Sequence, residues 1–540
     1  MKVDILIKDG IIFDGTGSEP FKGNIGISGD KITSIEKEDN GPLGDNLRKR
    51  EEVDLKPKRI IDAENLSVAP GFIDTHSHSD FTLLANPRAE GKICQGITTE
   101  INGNCGFSAA PLYGEALERR EEDLKELEIP ERWSTFEDYF KILSKKGIAI
   151  NFATLVGHGN IRSSVAGYEG RELTKSDMKM MCVLLRKSIK AGAIGISTGL
   201  IYPPGIYSNT EELVELAKCC KNLIYTSHMR SEGDKLIESI QEAIRIGKET
   251  GIKIHISHIK TSGEKNWHKI EEAVSLMERS RKEGVSLTCD RYPYTASSTD
   301  LDSILPTWTY SGGTEAELER LKNLKEREKI KKEILNNNPY ENFWERVSLS
   351  SVQLERNKWM EGKSIAEIAK IKGSDPVDTF FEILIKEKLK VSAIFSSMHE
   401  GNLKRFLLLP YCMICTDSSA RSFSGITHKG KPHPRGFGSF PRFFGKYVRD
   451  EGLMAKSNAI YKITMIPAKT FALKKRGVIK EGAYADIVIF DRARIIDKAT
   501  FHEPFQKPEG IHYVLVNGSP AIWEGELTGS CSGKILRHGK

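Results

Sequence analysis

The pattern of apolar positions changes texture twice along the chain. Residues 1 to about 66 read as all-β, in short apolar runs. Val3-Asp4-Ile5-Leu6-Ile7, Ile11-Ile12-Phe13, Gly23-Asn24-Ile25-Gly26-Ile27 and Ile32 to Ile35 are the runs. They predict short β-strands with one face buried. Asp9-Gly10 reads as a hairpin turn and Ser28-Gly29-Asp30 as another. The stretch 36–58 is polar and charged and reads as a loop. From about residue 68, apolar runs alternate with amphipathic stretches. Strands are predicted at 72–75, 98–102, 151–156, 193–198, 223–227, 253–257, 285–289 and 413–416. The clearest helices fall at 173–191, 211–220, 235–250 and 269–282. This alternation predicts an α/β fold with a parallel sheet. Eight strands is the count of a closed (β/α)8, TIM-like barrel, with a doubly wound open sheet as the alternative. The link between the seventh and eighth strands is too long for a plain connection, and 364–372 and 378–388 read as helices. It predicts an inserted lid or subdomain at about 301–390. After about residue 470 the β texture returns, at 477–491 and 513–518. The expected domains are a barrel at 67–470 and one small β-sandwich built from 1–66 and 471–540.

A chain of 540 residues with 39% apolar content can bury a large core. Lys+Arg of 80 against Asp+Glu of 74 leaves only +6. The signs are interleaved, and even the Lys-rich stretch at 315–332 mixes them at helical spacing, as a solvated helix face does. No nucleic-acid footprint is read. No apolar run approaches a membrane span, and Met1-Lys2-Val3-Asp4 begins no signal peptide. The nine cysteines, odd in number and scattered, fit a reducing compartment better than a disulfide scaffold. A soluble, cytoplasmic protein is expected.

The chemistry gathers at the ends of the predicted strands. Pro70-Gly71-Phe72-Ile73-Asp74-Thr75-His76-Ser77-His78 is an apolar run ending in two histidines two residues apart. A strand repeats every two residues, so His76 and His78 face one side and can grip one metal ion. Strand two ends in Asn102-Gly103-Asn104-Cys105-Gly106. Strand five ends in Ser227-His228, strand six in Ser257-His258 and strand eight in Thr416-Asp417. Barrel enzymes carry their chemistry at this end of the strands. Each of these residues taken singly is as readily a satisfied structural group. Six N, S and O donors from five strands are enough for a two-site metal centre, and the Cys/His mixture favours zinc.

These motifs resemble the D-aminoacylase (N-acyl-D-amino-acid deacylase) family of the amidohydrolase superfamily. The resemblance rests on Gly71 to His78, Gly103-Asn104-Cys105-Gly106, Ser257-His258-Ile259-Lys260 and His433-Pro434-Arg435. Ala499-Thr500-Phe501 and Val516-Asn517-Gly518 add to it. The HxH marks only the superfamily, whereas the Gly-Asn-Cys-Gly motif is far more specific. Related hydantoinases and dihydroorotases bridge two metals with a carboxylated lysine on strand four. Here 193–199 holds no lysine, and Cys105 can supply the anionic ligand as a thiolate. The resemblance implies that Cys105, His228 and His258 hold a tight zinc, while His76, His78 and Asp417 border a second, weaker site. It implies Asp417 as general base toward a zinc-activated water. It implies a small-molecule N-acyl-D-amino acid as substrate, its carboxylate held by Arg435, with Lys260, Tyr292 and Ser298 as binding positions and Tyr202 lining the pocket. The Ser418-Ser419 pair departs from the glycine usual in the family after the aspartate. Two rivals stand beside this reading: a cyclic amidase and a non-catalytic assembly protein on the same fold. The CxxC at Cys412 and Cys415 puts its sulfurs on opposite strand faces and reads as core. His158 reads equally as a substrate contact or a loop stabiliser, and His255 as packed away from the site.

Overall fold

A computed structural model describes residues 3–38 and 57–539, so most of the expected loop at 36–58 lies outside the described residues. Eight parallel strands form the central layer. They are Phe72–Asp74, Ile97–Asn102, Asn151–Thr154 continued by Val156–Gly157, Gly195–Gly199, Ile224–His228, Lys253–Ile256, Leu287–Arg291 and Cys412–Ile414. Each pairs in parallel with the next within two ladders. The third strand is split at Leu155, whose amide still reaches Asn102 O at 2.9 Å. The eighth strand meets the first through a parallel bridge between Ser77 and Ser418. There Asp417 N donates to His76 O at 2.9 Å and His78 N to Ser418 O at 3.3 Å. This likeness to a TIM-type barrel puts all the expected site strands side by side.

The helices obey their patterns. Leu236–Thr250 turns Leu236, Ile240, Ala243, Ile244 and Ile246 to the core. Full burial of each large side chain there stabilises by about 1.5–3 kcal/mol. Gly247 lets that helix close on the sheet, because a Cβ there would sit 2.7 Å from Ile254 Cγ1. The seventh strand begins two residues later than expected. Val285 instead closes the preceding helix, its amide bonded to Ser280 O at 3.1 Å. Asp290 and Arg291 are therefore strand residues.

Both chain ends enter one nine-stranded sheet, which also takes in Ser67–Pro70. Ile5, Ile7, Ile27, Ile487, Ile489 and Leu515 share its core. Asp9-Gly10 is not a hairpin turn. One strand, Ile5–Ile12, runs through it with a β-bulge between Ile7 and Gly10. Asp9 holds φ at 58° while its amide bonds Asn24 Oδ1 at 3.0 Å. The C-terminal tail then crosses to the barrel. Gly533 N bonds Ile148 O at 2.7 Å and His538 N bonds Gly192 O at 2.9 Å, just before strands three and four.

The long link between strands seven and eight has its own core, including Leu321, Ile330, Phe380 and Leu384. It carries a three-stranded antiparallel sheet of Ser297–Asp300, Ser392–Phe395 and Val347–Ser351. These short strands are rich in serine, so they gave no apolar alternation. The charged stretch at 315–332 is two helices, Gly313–Lys322 and Leu324–Asn337. Asn323 breaks it, its side chain accepting from the amides of Lys325 and Glu326 as an N-cap. Among the described residues no helix is long and apolar enough to cross a membrane.

Candidate metal centre

The six donor residues expected from sequence converge at the C-terminal ends of the strands. Cys105 Sγ lies 3.2 Å from His76 Nε2, 3.4 Å from His228 Nδ1, 3.5 Å from His258 Nε2 and 3.9 Å from His78 Nε2. A thiol has one proton to share, and four ring nitrogens face this one sulfur. Asp417 completes the group, with Oδ1 3.1 Å from His78 Nε2 and 3.6 Å from His76 Nε2. His76, Cys105 and His258 form one close cluster, His76, His78 and Asp417 a second, and His228, Glu232 and His258 a third. A soft thiolate with neutral imidazoles and a carboxylate is the donor chemistry a zinc ion takes.

The backbone bends to bring these groups together. Cys105, His258 and Asp417 have φ of 52°, 36° and 47°, the left-handed region that costs a non-glycine residue of order 1–3 kcal/mol. Two glycines make the Cys105 loop possible. A Cβ on Gly103 would stand 2.2 Å from Leu155 O, and one on Gly106 would stand 2.7 Å from Gly199 N.

Burial and charge set the protonation states. Burial holds the His228 ring down at about 3, although Glu232 pulls it upward. Burial likewise lowers His76, against the pull of Asp417. Both imidazoles are thus neutral, the form that binds metal. Burial pushes the Cys105 thiol up, and the Asp417 and Glu232 carboxylates push it further, so its thiolate requires a cation beside it. Burial alone would raise Asp417. The Arg435 guanidinium, with His258 and His78, outweighs it and keeps the carboxyl well below the ordinary range.

Behind the donors stands Glu232, four residues after His228. Its Oε1 takes His258 Nδ1 at 2.8 Å and also the Lys260 ammonium. Its Oε2 is 3.8 Å from His228 Nε2. Asp290 holds the strand ends from below. Oδ1 accepts the His258 amide at 2.6 Å, and Oδ2 accepts from Thr75 Oγ1 at 2.7 Å and His255 Nε2 at 2.9 Å. His255, which was expected to be packed away from the site, thus supports it at one remove. Neither acid was singled out in the sequence. Asp290 lies near the end of strand seven, one residue past the expected 289, and that strand-end position is the signal that marks it. Glu232 lies in a loop, and only its spacing from His228 hinted at it.

Of the expected substrate positions, Arg435, Tyr292 and Ser298 gather beside Asp417. Arg435 Nη1 is 2.8 Å from Asp417 Oδ2, and Nη2 donates to Ser298 O at 3.3 Å. Its guanidinium lies 4.5 Å over the Tyr292 ring. His433 sets it in place, because Nδ1 accepts the Arg435 amide at 3.0 Å while Nε2 donates to Ala296 O at 2.9 Å. Arg435 Nε and Tyr292 Oη are buried with no hydrogen-bond partner among the described residues. Tyr202 bonds Thr299 Oγ1 at 2.9 Å and packs edge-on to His228. Of the motifs set aside, Cys412 and Cys415 fall in separate core clusters, and His158 is tied to Glu212 at 2.8 Å.

Residues 59–390 and 429–522 match the amidohydrolase family, and the chain belongs to it. It is 33% identical to the D-aminoacylase of Alcaligenes xylosoxydans xylosoxydans, over 99% of this chain and 97% of that one. A structure of N-acyl-D-glutamate deacylase from Bordetella bronchiseptica, complexed with zinc and a phosphonate mimic of the tetrahedral intermediate, superposes with a TM-score of 0.80. The two are 30% identical, with 99% of this chain and all of that one covered. A D-aminoacylase structure, described as having a binuclear metal centre with one-metal activation and second-metal attenuation, matches with the same TM-score at 31% identity, over 99% and 100% of the two chains. The resemblance carried by the Gly-Asn-Cys-Gly motif is therefore borne out.

Proposed function

We propose that the protein is a zinc-dependent N-acyl-D-amino-acid deacylase, which cleaves a linear amide into a carboxylate and a D-amino acid. The convergence of four imidazole nitrogens on the buried Cys105 sulfur, beside Asp417, carries this reading. Cys105, His228 and His258 would hold the tight zinc, and His76, His78 and Asp417 would border a weaker site. Zinc bound there supplies a Lewis acid and acidifies a water near neutral pH. Asp417 Oδ1 accepts the proton of the attacking water and delivers it to the departing amine. Arg435 keeps Asp417 ionised, and so able to accept a proton, against the burial that would raise it. The unpartnered Arg435 Nε and Tyr292 Oη offer donors to the substrate carboxylate. Ser298 joins them, and Tyr202 walls the pocket. Lys260 acts through Glu232, to which its ammonium is bound. The preference for the D form rests on the named relatives.

We infer for the whole chain a closed (β/α)8 barrel at 67–470 with an inserted lid at about 301–390. Residues 1–66 and 471–540 make the small β-sandwich. Nine free cysteines support a cytoplasmic setting. The test is metal removal. Stripped protein should lose hydrolysis of N-acetyl-D-amino acids and regain it on addition of zinc, and Cys105→Ala should lose zinc and activity together. Full turnover by metal-free protein would contradict the reading.

A further inference from the structure

Lys92 is a fully buried lysine outside the donor set. It sits on the short helix Glu90–Ile93, between strands one and two. Its ammonium is 2.7 Å from Asp74 Oδ2, 2.7 Å from Ser77 Oγ, 2.6 Å from Thr416 Oγ1 and 2.8 Å from Ser418 O. Glu100 Oε2 lies 3.6 Å away. A buried cation is tolerated only when paired and fully hydrogen-bonded, and this one meets both conditions.

The identity of its partners is informative. Asp74 and Ser77 flank His76, while Thr416 and Ser418 flank Asp417. Asp74 ties the two ends directly as well, with Oδ1 accepting the Thr416 amide at 2.8 Å and Oδ2 accepting the Thr416 hydroxyl at 2.6 Å. Elsewhere the neighbouring strands share ladders of two or more paired residues. Between strands eight and one the described residues share a single Ser77–Ser418 bridge and the backbone bonds beside it. The turn carrying Lys92 grips the rest of this wall too. Gly91 N bonds Arg421 O at 2.8 Å, and Glu90 Oε2 accepts the Phe423 amide at 3.0 Å. Gln95 Nε2 donates to Gly436 O at 2.8 Å, next to Arg435.

We propose that Lys92 is a positioning residue that closes the seam between the first and eighth strands and so sets Asp417 against His76 and His78. Cys105, His228 and His258 come from strands two, five and six, and none of the four groups hydrogen-bonded to the ammonium lies on those strands. Its loss should therefore misplace the base and the weaker metal site while sparing the tight one. In turnover terms this rests on the deacylase reading.

Lys92→Met should lower kcat by about 10–100-fold, as the loss of an outer partner of a metal site does. KM should stay within about threefold, and tight-site zinc affinity in a chelator competition should stay near wild type. In Lys92→Ala, n-propylammonium replaces the missing side-chain atoms and should restore kcat saturably, whereas tetramethylammonium should not. Should Lys92→Met fail to fold, Thr416→Val removes one link of the same cluster and should show the same kcat-only loss. Amide exchange in metal-free Lys92→Met should rise in segments 72–80 and 412–421 and in the turn at 90–96, and hold in strands four to six. That readout needs no substrate, so it stands even if the wild type cleaves no N-acyl-D-amino acid. Unchanged kcat, loss of tight zinc, or unchanged exchange in both segments would overturn the proposal.

Discussion

Glu232→Gln tests whether the acid behind the donors sets the tight site. The wild-type carboxylate serves His258 Nδ1 at 2.8 Å and the Lys260 ammonium through one oxygen, and approaches His228 Nε2 at 3.8 Å with the other. Burial would raise this carboxyl, but Lys260, His258 and His228 together hold it well below the ordinary range, so it is fully charged. Glutamine keeps the shape and one acceptor but removes the charge. His258 then loses the anion that orients its ring and raises its basicity, an effect worth roughly 10–100-fold in metal affinity. At about 1.36 kcal/mol per decade this is roughly 1.4–2.7 kcal/mol. Separately, Lys260, only 3% exposed, loses its counter-charge. Breaking a buried pair costs about 3–5 kcal/mol when one partner is removed, and the remaining amide oxygen offsets about 1 kcal/mol of that. Urea unfolding of metal-free protein should therefore show a loss of about 2–4 kcal/mol by this arithmetic. Adding Lys260→Met should recover part of it, because the orphaned charge goes too. Zinc affinity is read by competition with a chromophoric chelator. Affinity within twofold of wild type, with undiminished stability, would refute the reasoning.

Tyr292→Phe removes a buried hydroxyl that has no partner among the described residues. Stability in urea should hold or rise by up to about 1 kcal/mol, since an unpaired buried hydroxyl carries a desolvation cost. kcat/KM should fall by about 10–150-fold, mostly through KM, since a hydrogen bond to a charged group contributes about 1.5–3 kcal/mol and is made before the transition state; a destabilised variant with unchanged KM would remove Tyr292 from substrate binding. Glu317, in the inserted segment, is buried, and that burial, reinforced by Asp302 against Arg119 and Arg320, raises its carboxyl to about 8. The native state then holds the proton more tightly than the unfolded chain, whose value is about 4.3. Its contribution is complete below about pH 4 and is lost as pH rises through about 8. Glu317→Gln should flatten that decline between pH 5 and 8.5 in urea unfolding. An identical decline in both proteins would contradict the assignment.

Much of the fold was legible because each element obeyed one local rule. The eight strands are short apolar runs, and helices such as Leu236–Thr250 have a single apolar stripe. The donors were legible for a related reason: His76 and His78 share a strand period, and Cys105 lies between glycines that only a tight loop requires. What was missed depends on tertiary context. Asp9-Gly10 has turn chemistry, but pairing of Ile5–Ile12 across its whole length made it a bulge. The strands Ser297–Asp300 and Val347–Ser351 have little apolar alternation and exist because Ser392–Phe395 lies between them. Glu232, Asp290 and Lys92 are ordinary charges in sequence, and only the folded chain brings each against a strand end.

The central claim is hydrolysis of an N-acyl-D-amino acid at a zinc site on this chain. It is tested most directly by offering zinc-loaded protein N-acetyl-D- and N-acetyl-L-amino acids in matched pairs, with hydantoin and dihydroorotate alongside, and measuring released amine and ring opening. Amine released from D forms alone, abolished by metal removal and restored by zinc, is the expected result. Ring opening without deacylation, or equal release from both enantiomers, would contradict the account.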